Sequence, residues 1–227
     1  MFSKIKFLSV LALSALLASC GNNSSDTASE SKDSTSSQSS NTAISDSSNN
    51  MNTNDNMGSA NHMTAMNSMM DKMKGMKITG DFDIDFANMM IEHHQGAIDM
   101  SQQELNAGKD EKIKSMAQII IDKQKKEVSD LQDFVNSYKP SGMKHGEGEL
   151  QKSMSEMEGK MKGMQMSGDA DKDFASMMTA HHQSAIDMAR MELKNGMSNK
   201  LKQMAQKMID DQNKEIKEFK TWLDSHK

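Results

Sequence analysis

Cys20 is the only cysteine in the chain, so no disulfide can form within it. Pro140 is the only proline, aromatic residues make up 4% of the sequence, and no stretch alternates apolar and polar residues for long. Strand signals are therefore lacking and no sheet is expected. An excess of basic charge is lacking too. With 27 basic and 32 acidic residues the formal net charge is −5, which makes nucleic acid an unsuitable partner. The apolar run at the start, Phe7 to Leu17, is too short for a membrane span.

That run follows Lys4 and Lys6 and precedes small residues, the pattern of an export signal over residues 1–19. Leu17-Ala18-Ser19-Cys20 resembles the lipobox of bacterial lipoproteins, which implies a lipid on Cys20 and attachment to the cell envelope, facing either the periplasm or the exterior. A plain secretory signal beside a chance cysteine is the competing reading. Removing the signal leaves 25 basic against 32 acidic residues, a formal charge of −7. Residues 20–60 are Ser, Asn, Asp and Thr with almost nothing apolar, so a disordered tether is expected there. Residues 61–79 form a methionine-rich segment, and residues 80–227 the folded domain.

The domain is built on a repeat. FANMMIEHHQGAIDMSQQEL, from Phe86 to Leu105, returns as FASMMTAHHQSAIDMARMEL, from Phe174 to Leu193, at an offset of 88 residues. The same offset relates Met66, Met69, Met73 and Met76 to Met154, Met157, Met161 and Met164, so the repeats span about 66–138 and 154–226. Apolar residues recur at helical spacing in both copies. Gly108 and Gly196 read as left-handed helix ends, and Asp110 and Ser198 as caps of the helices that follow. Asp81, Asp83 and Asp85 suit a helix N-terminus. Short turns make each helix pair antiparallel, and one amphipathic hairpin cannot cover its own apolar face. The expected fold is therefore an all-α, ferritin-like four-helix bundle of two repeated hairpins. Counting outward from the turns sets His93 level with Gln124 and His181 level with Gln212. Glu127 then lies near Met90, and Glu215 near Met178.

There are 26 methionines. At Met100, Met116, Met188, Met204 and Met208 they read as adaptable core filler. At Met51, Met57, Met143 and in the MKGMK and MKGMQM segments they sit among polar residues with no evident core to fill. Thioether is a soft ligand suited to Cu(I), and imidazole suits Cu(II), Zn and Ni. Met89 with His93, and Met90 with His94, are i,i+4 pairs, and Met177/His181 with Met178/His182 repeat them. These eight residues are the leading metal ligands, with His62, Met63, Met143 and His145 as further candidates. Copper is the expected metal, with silver or zinc as alternatives. A core histidine hydrogen-bonded to Gln124 is the competing structural account of His93. A di-iron oxidase is a second class of function, but its Glu-x-x-His motif is absent from the chain, so no enzyme is expected. A passive surface interaction module is a third.

The doubled HHQ…AIDM helices resemble a bacterial family, domain of unknown function 305, over about Gly80 to Lys227. The resemblance implies a ferritin-like bundle of two similar hairpins. Some methionine- and histidine-rich members are periplasmic copper-binding proteins implicated in copper resistance. It therefore implies extracytoplasmic copper sequestration here, with His93, His94, His181 and His182 at the matching motif positions.

Overall fold

The computed structural model describes residues 53–140, 142 and 147–227. The expectations for the signal, Cys20, Met51, Met143 and His145 lie outside the described residues. Six helices follow in order: α1 (Thr53–Gly75), α2 (Phe82–Ala107), α3 (Glu111–Ser137), α4 (Glu147–Lys162), α5 (Ala170–Asn195) and α6 (Asn199–Ser225). The all-helical expectation holds, and the described residues contain no strand. The four bundle helices are α2, α3, α5 and α6. The methionine-rich segments that precede each hairpin are themselves helices, α1 and α4, which makes six.

Each hairpin packs most intimately within itself, α2 on α3 and α5 on α6, and the two hairpins meet along α2 and α5. Helix α1 lies on α2 and α5, and α4 on α5 beside α1. The core between them is rich in methionine: Met66, Met69, Met89, Met90, Met100, Met177, Met178 and Met188 are all buried, alongside Phe86, Phe174 and Phe219. An unbranched thioether fills the irregular space between six helices at little strain.

Four side-chain caps fix the helix starts. Ile84 N–H donates to Asp81, Lys112 and Ile113 to Asp110, Lys172 to Asp169, and Leu201 to Ser198. Gly108 and Gly196 are not left-handed, which corrects the sequence expectation. Their φ, ψ values of −68°, 152° and −60°, 156° are extended. Among the described residues, the left-handed glycines are Gly80 (φ 89°), Gly168 (φ 84°) and Gly142 (φ 75°). What Gly108 and Gly196 supply is room. A Cβ at Gly108 would lie 2.1 Å from Glu104 Oε1, and one at Gly196 2.0 Å from Glu192 Oε1.

The start of α1 is a second correction. The tether was expected to run to residue 60, yet α1 begins at Thr53. Gly58 is wedged where a Cβ would meet Ala170 Cβ at 2.8 Å and Ala107 Cβ at 2.9 Å. Ser59 Oγ donates to Asp173 Oδ2 at 2.6 Å. The small polar residues that resemble a linker in composition are here the means of close packing.

Candidate metal centre

The acidic residues at the starts of α2 and α5 lock the two hairpins together. Asp83 accepts from Met197 N–H and Ser198 N–H in the α5–α6 turn, at 2.9 and 2.8 Å. Asp171 accepts from Lys109 N–H and Asp110 N–H in the α2–α3 turn, at 3.1 and 2.9 Å. Each hairpin thus closes the other's turn, and α2 and α5 must run antiparallel. Asp85 and Asp173 instead hold their own preceding turns, through Thr79 and Gly80 and through Ser167 and Gly168.

Buried against these clamps are Glu104 and Glu192, both fully enclosed. Burial is the main cause that pushes each carboxyl up to about 9, and the neighbouring Asp171 or Asp83 adds to it. Burial therefore favours the neutral form of each glutamate at neutral pH. His62 Nε2 lies 3.4 Å from Glu104 Oε2. Burial lowers His62 to about 4, so it too is neutral.

The antiparallel crossing of α2 and α5 sets His93 against His181 at mid-helix. Their ring centroids are 3.7 Å apart with the planes tilted by 38°. Both are completely enclosed, and burial, with the other histidines nearby, keeps both well below the usual imidazole range. They are neutral, the form that ligates metal. Neither His93 nitrogen has a hydrogen-bond partner, nor has His181 Nδ1. His181 Nε2 lies 3.3 Å from Met69 Sδ of α1. Met69 reaches it by crossing Gly96, where a Cβ would stand 2.5 Å from its sulfur.

The second histidine of each pair faces away from this centre. His94 Nε2 is 3.0 Å from Glu127 Oε2 of α3, and His182 Nε2 is 2.8 Å from Glu215 Oε2 of α6. Burial alone would raise Glu215, but the bonds from His182 and Lys123 hold it below the ordinary value. Lys207 stands 3.8 Å from Glu127, so each carboxylate is flanked by an imidazole and a lysine. Gln124 and Gln212 are buried as expected, yet Gln124 Oε1 and both polar side-chain atoms of Gln212 lack hydrogen-bond partners. The account of His93 as a core histidine bonded to Gln124 therefore has no bond to support it.

The structure brings together His93 and His181 and leaves His94 and His182 to the acids of the outer helices. Met89, Met90, Met177 and Met178 are wholly buried in the core. Among the described residues, the sulfur recorded against a histidine nitrogen is that of Met69. Met63 belongs to a groove between α1 and α4 instead. Sequence reasoning counted Met69 only within the methionine-rich segment 63–76, expected to add weaker metal sites, and passed over Glu104 and Glu192 as functional positions. The signal for the two glutamates was available, since an acid repeated at the 88-residue offset four residues before a glycine is not needed by an apolar seam. No three His, Asp or Glu converge as a metal cage among the described residues. Two unpartnered neutral imidazoles beside a thioether still fit a soft cation, and such a site would be completed by sulfur rather than carboxylate.

No curated protein matches the chain. Two solved structures are similar to it. A DUF305 fragment from Deinococcus radiodurans is 18% identical, covers 63% of this chain and 96% of its own, and has a TM-score of 0.49. A structure described as CopM in the Cu(II)-bound form is 27% identical, covers 64% of this chain and 97% of its own, and also has a TM-score of 0.49. The model of the family described as Domain of unknown function (DUF305) matches twice, over residues 12–135 and 136–223, and the chain belongs to that family.

Proposed function

We propose that this protein binds Cu(I) or Ag(I) outside the cytoplasm and sequesters it, held to the cell envelope by a lipid on Cys20, and that it is a binding protein rather than an enzyme. The observation that carries the metal reading is the tilted pair His93 and His181, with ring centroids 3.7 Å apart and both rings fully buried with three unpartnered nitrogens. Leaving such polar atoms unpaired costs roughly 1–3 kcal/mol each, and a bound cation offsets that cost. Packing alone gives no reason to meet it twice in one layer. Copper and silver suit the site better than zinc because the nearest further donor is a thioether.

The test is a competition titration against a Cu(I) chelator, with zinc as control, on wild type, on His93→Ala/His181→Ala and on His94→Ala/His182→Ala. The tightest class should vanish in the first variant and persist in the second. Identical curves for all three would make the histidines structural and leave the surface-module reading. For the anchor, a fatty-acid analogue should label the wild type and not Cys20→Ser.

A further inference from the structure

Two grooves flank the line where α1 meets α4, and the 88-residue offset maps one onto the other. The larger, about 560 Å³, is lined by Met63, Met70, Met161 and Met164. The smaller, about 220 Å³, carries Met73 and Met76 where the first has Met161 and Met164. The two grooves differ at the remaining pair of positions. Where the larger groove has Met63 and Met70, the smaller has Gln151 and Glu158. This place in the fold therefore accepts polar side chains, so the packing of buried Met70 and partly buried Met63 against the core does not by itself require methionine there. Four methionines lining one groove, two from each repeat, offer a soft donor set. Glu158, at the rim, is held by Lys74 and Lys162 at 2.7 and 2.6 Å, and the oxygens of Asn67 and Asp71 line the groove beside the four thioethers.

The groove also has a route inward. Met63, Met66 and Met69 form an i,i+3 ridge on α1, each step rising about 4.5 Å. Met66 and Met69 are buried, and the ridge ends at Met69 Sδ, 3.3 Å from His181 Nε2.

We propose that the Met63/Met70/Met161/Met164 groove is a capture site for Cu(I) or Ag(I), from which the ion passes along Met66 and Met69 to His93 and His181. The transfer half of this proposal rests on the metal-binding reading of the histidine pair. Each step is a ligand exchange in which a metal–sulfur bond breaks as a bond to the next donor forms, a thioether sulfur along the ridge and an imidazole nitrogen at its end. The ion stays monovalent throughout, and no proton moves because a thioether carries none.

Transfer of Cu(I) from a chromophoric chelator to the full mature chain, followed by stopped flow under reducing conditions, tests the route. Replacing all four groove methionines by Leu keeps volume and apolarity. Met63→Gln copies the residue that the other groove tolerates, and so guards against loss of folding. The Leu variant should load the histidine pair at least tenfold more slowly while its final affinity there is unchanged, and Met63→Gln should slow loading in the same direction. A wild-type rate in the Leu variant overturns the route. Equilibrium counting of bound Ag(I) tests the groove by itself. The Leu variant should hold fewer ions than wild type, and an equal count overturns the capture site. If His93→Ala/His181→Ala binds as wild type does, it is the function reading that fails, and the silver count still decides the groove.

Discussion

The metal-free protein should be most stable near pH 6.5, with stability falling on both sides for different reasons. On the alkaline side the groups are Glu104 and Glu192, whose folded values are raised to about 9. Their contribution is fully present below the unfolded value of 4.5 and is lost as pH rises toward 9, because the unfolded chain releases two protons that the folded chain keeps. On the acid side the groups are His62, His93 and His181, all depressed by burial below 6.5. The unfolded chain takes up three protons there that the folded chain refuses, so stability falls as pH drops below 6.5. Each uncompensated proton changes stability by about 1.4 kcal/mol per pH unit. Between pH 4.5 and 6.5 the three histidines outweigh the two glutamates, which leaves a rise approaching about 1.4 kcal/mol per unit. Above 6.5 the glutamates act alone, and the fall approaches about 2.7 kcal/mol per unit. Urea denaturation at half-unit pH intervals, with chelator present, measures both limbs. Glu104→Gln/Glu192→Gln keeps the shape of the neutral acids and should flatten the alkaline limb while leaving the acid limb in place. An alkaline limb equally steep in that variant would refute the assignment.

Two further outcomes follow from the same clamps. Gly108→Ala and Gly196→Ala should each cost about 1–3 kcal/mol by forcing the buried glutamate aside, a fall in Tm of about 2–12 °C for a domain of this size. Asn should be no better than Ala, whereas a left-handed glycine would be rescued by Asn. Asp83→Ala and Asp171→Ala each leave two turn N–H groups without an acceptor, and should cost about 2–3 kcal/mol by denaturant titration. The proteolytic cut that results should fall in the other repeat's turn, near 197 for Asp83 and near 109 for Asp171.

The bundle helices were legible because the 88-residue offset and the helical spacing of apolar residues report one cause, a face that must be buried twice. The caps at Asp110 and Ser198 were legible for the same local reason. The start of α1 was hidden because composition cannot distinguish a flexible linker from a helix whose small residues are needed for close approach, as at Gly58 and Ser59. Gly108 looked like a left-handed cap because sequence shows the absent side chain and not the glutamate that fills its space. The sorting of the histidines was beyond reach as well. An HH pair on a helix presents two faces about 100° apart. Which face meets its twin and which meets an acid is set by how α2 crosses α5, a property of the assembled bundle. Met69 was obscured by its neighbours, since five methionines at helical spacing give no sign of which one ends over a glycine.

Gly96 is the position at which this reading of the centre is most exposed to refutation. Its counterpart in the second repeat is Ser184, and Met69's counterpart is Met157. Only the first repeat has the space for a sulfur to cross the helix, since a Cβ at residue 96 would lie 2.5, 2.7 and 2.8 Å from Met69 Sδ, Cγ and Cβ. The contact with Cβ means that rotating the sulfur away does not relieve the clash, and α1 must lift as well. In an open helix, Gly→Ala gains about 1 kcal/mol of helix propensity. Here overpacking costs about 1–3 kcal/mol, so the net change should be zero to about 2 kcal/mol of destabilisation. Gly96→Ser, which copies the second repeat, should behave alike. The separation between structural and ligand roles comes from metal preference. With Met69 displaced, the centre keeps two imidazoles and loses its soft donor, so Cu(I) affinity should fall about tenfold or more while Zn(II) affinity holds. Met69→Leu should reproduce that change in preference without moving α1. If Gly96→Ala stabilises the protein by about 1 kcal/mol and leaves the preference unaltered, Met69 is core filler, and the centre consists of the two histidines alone.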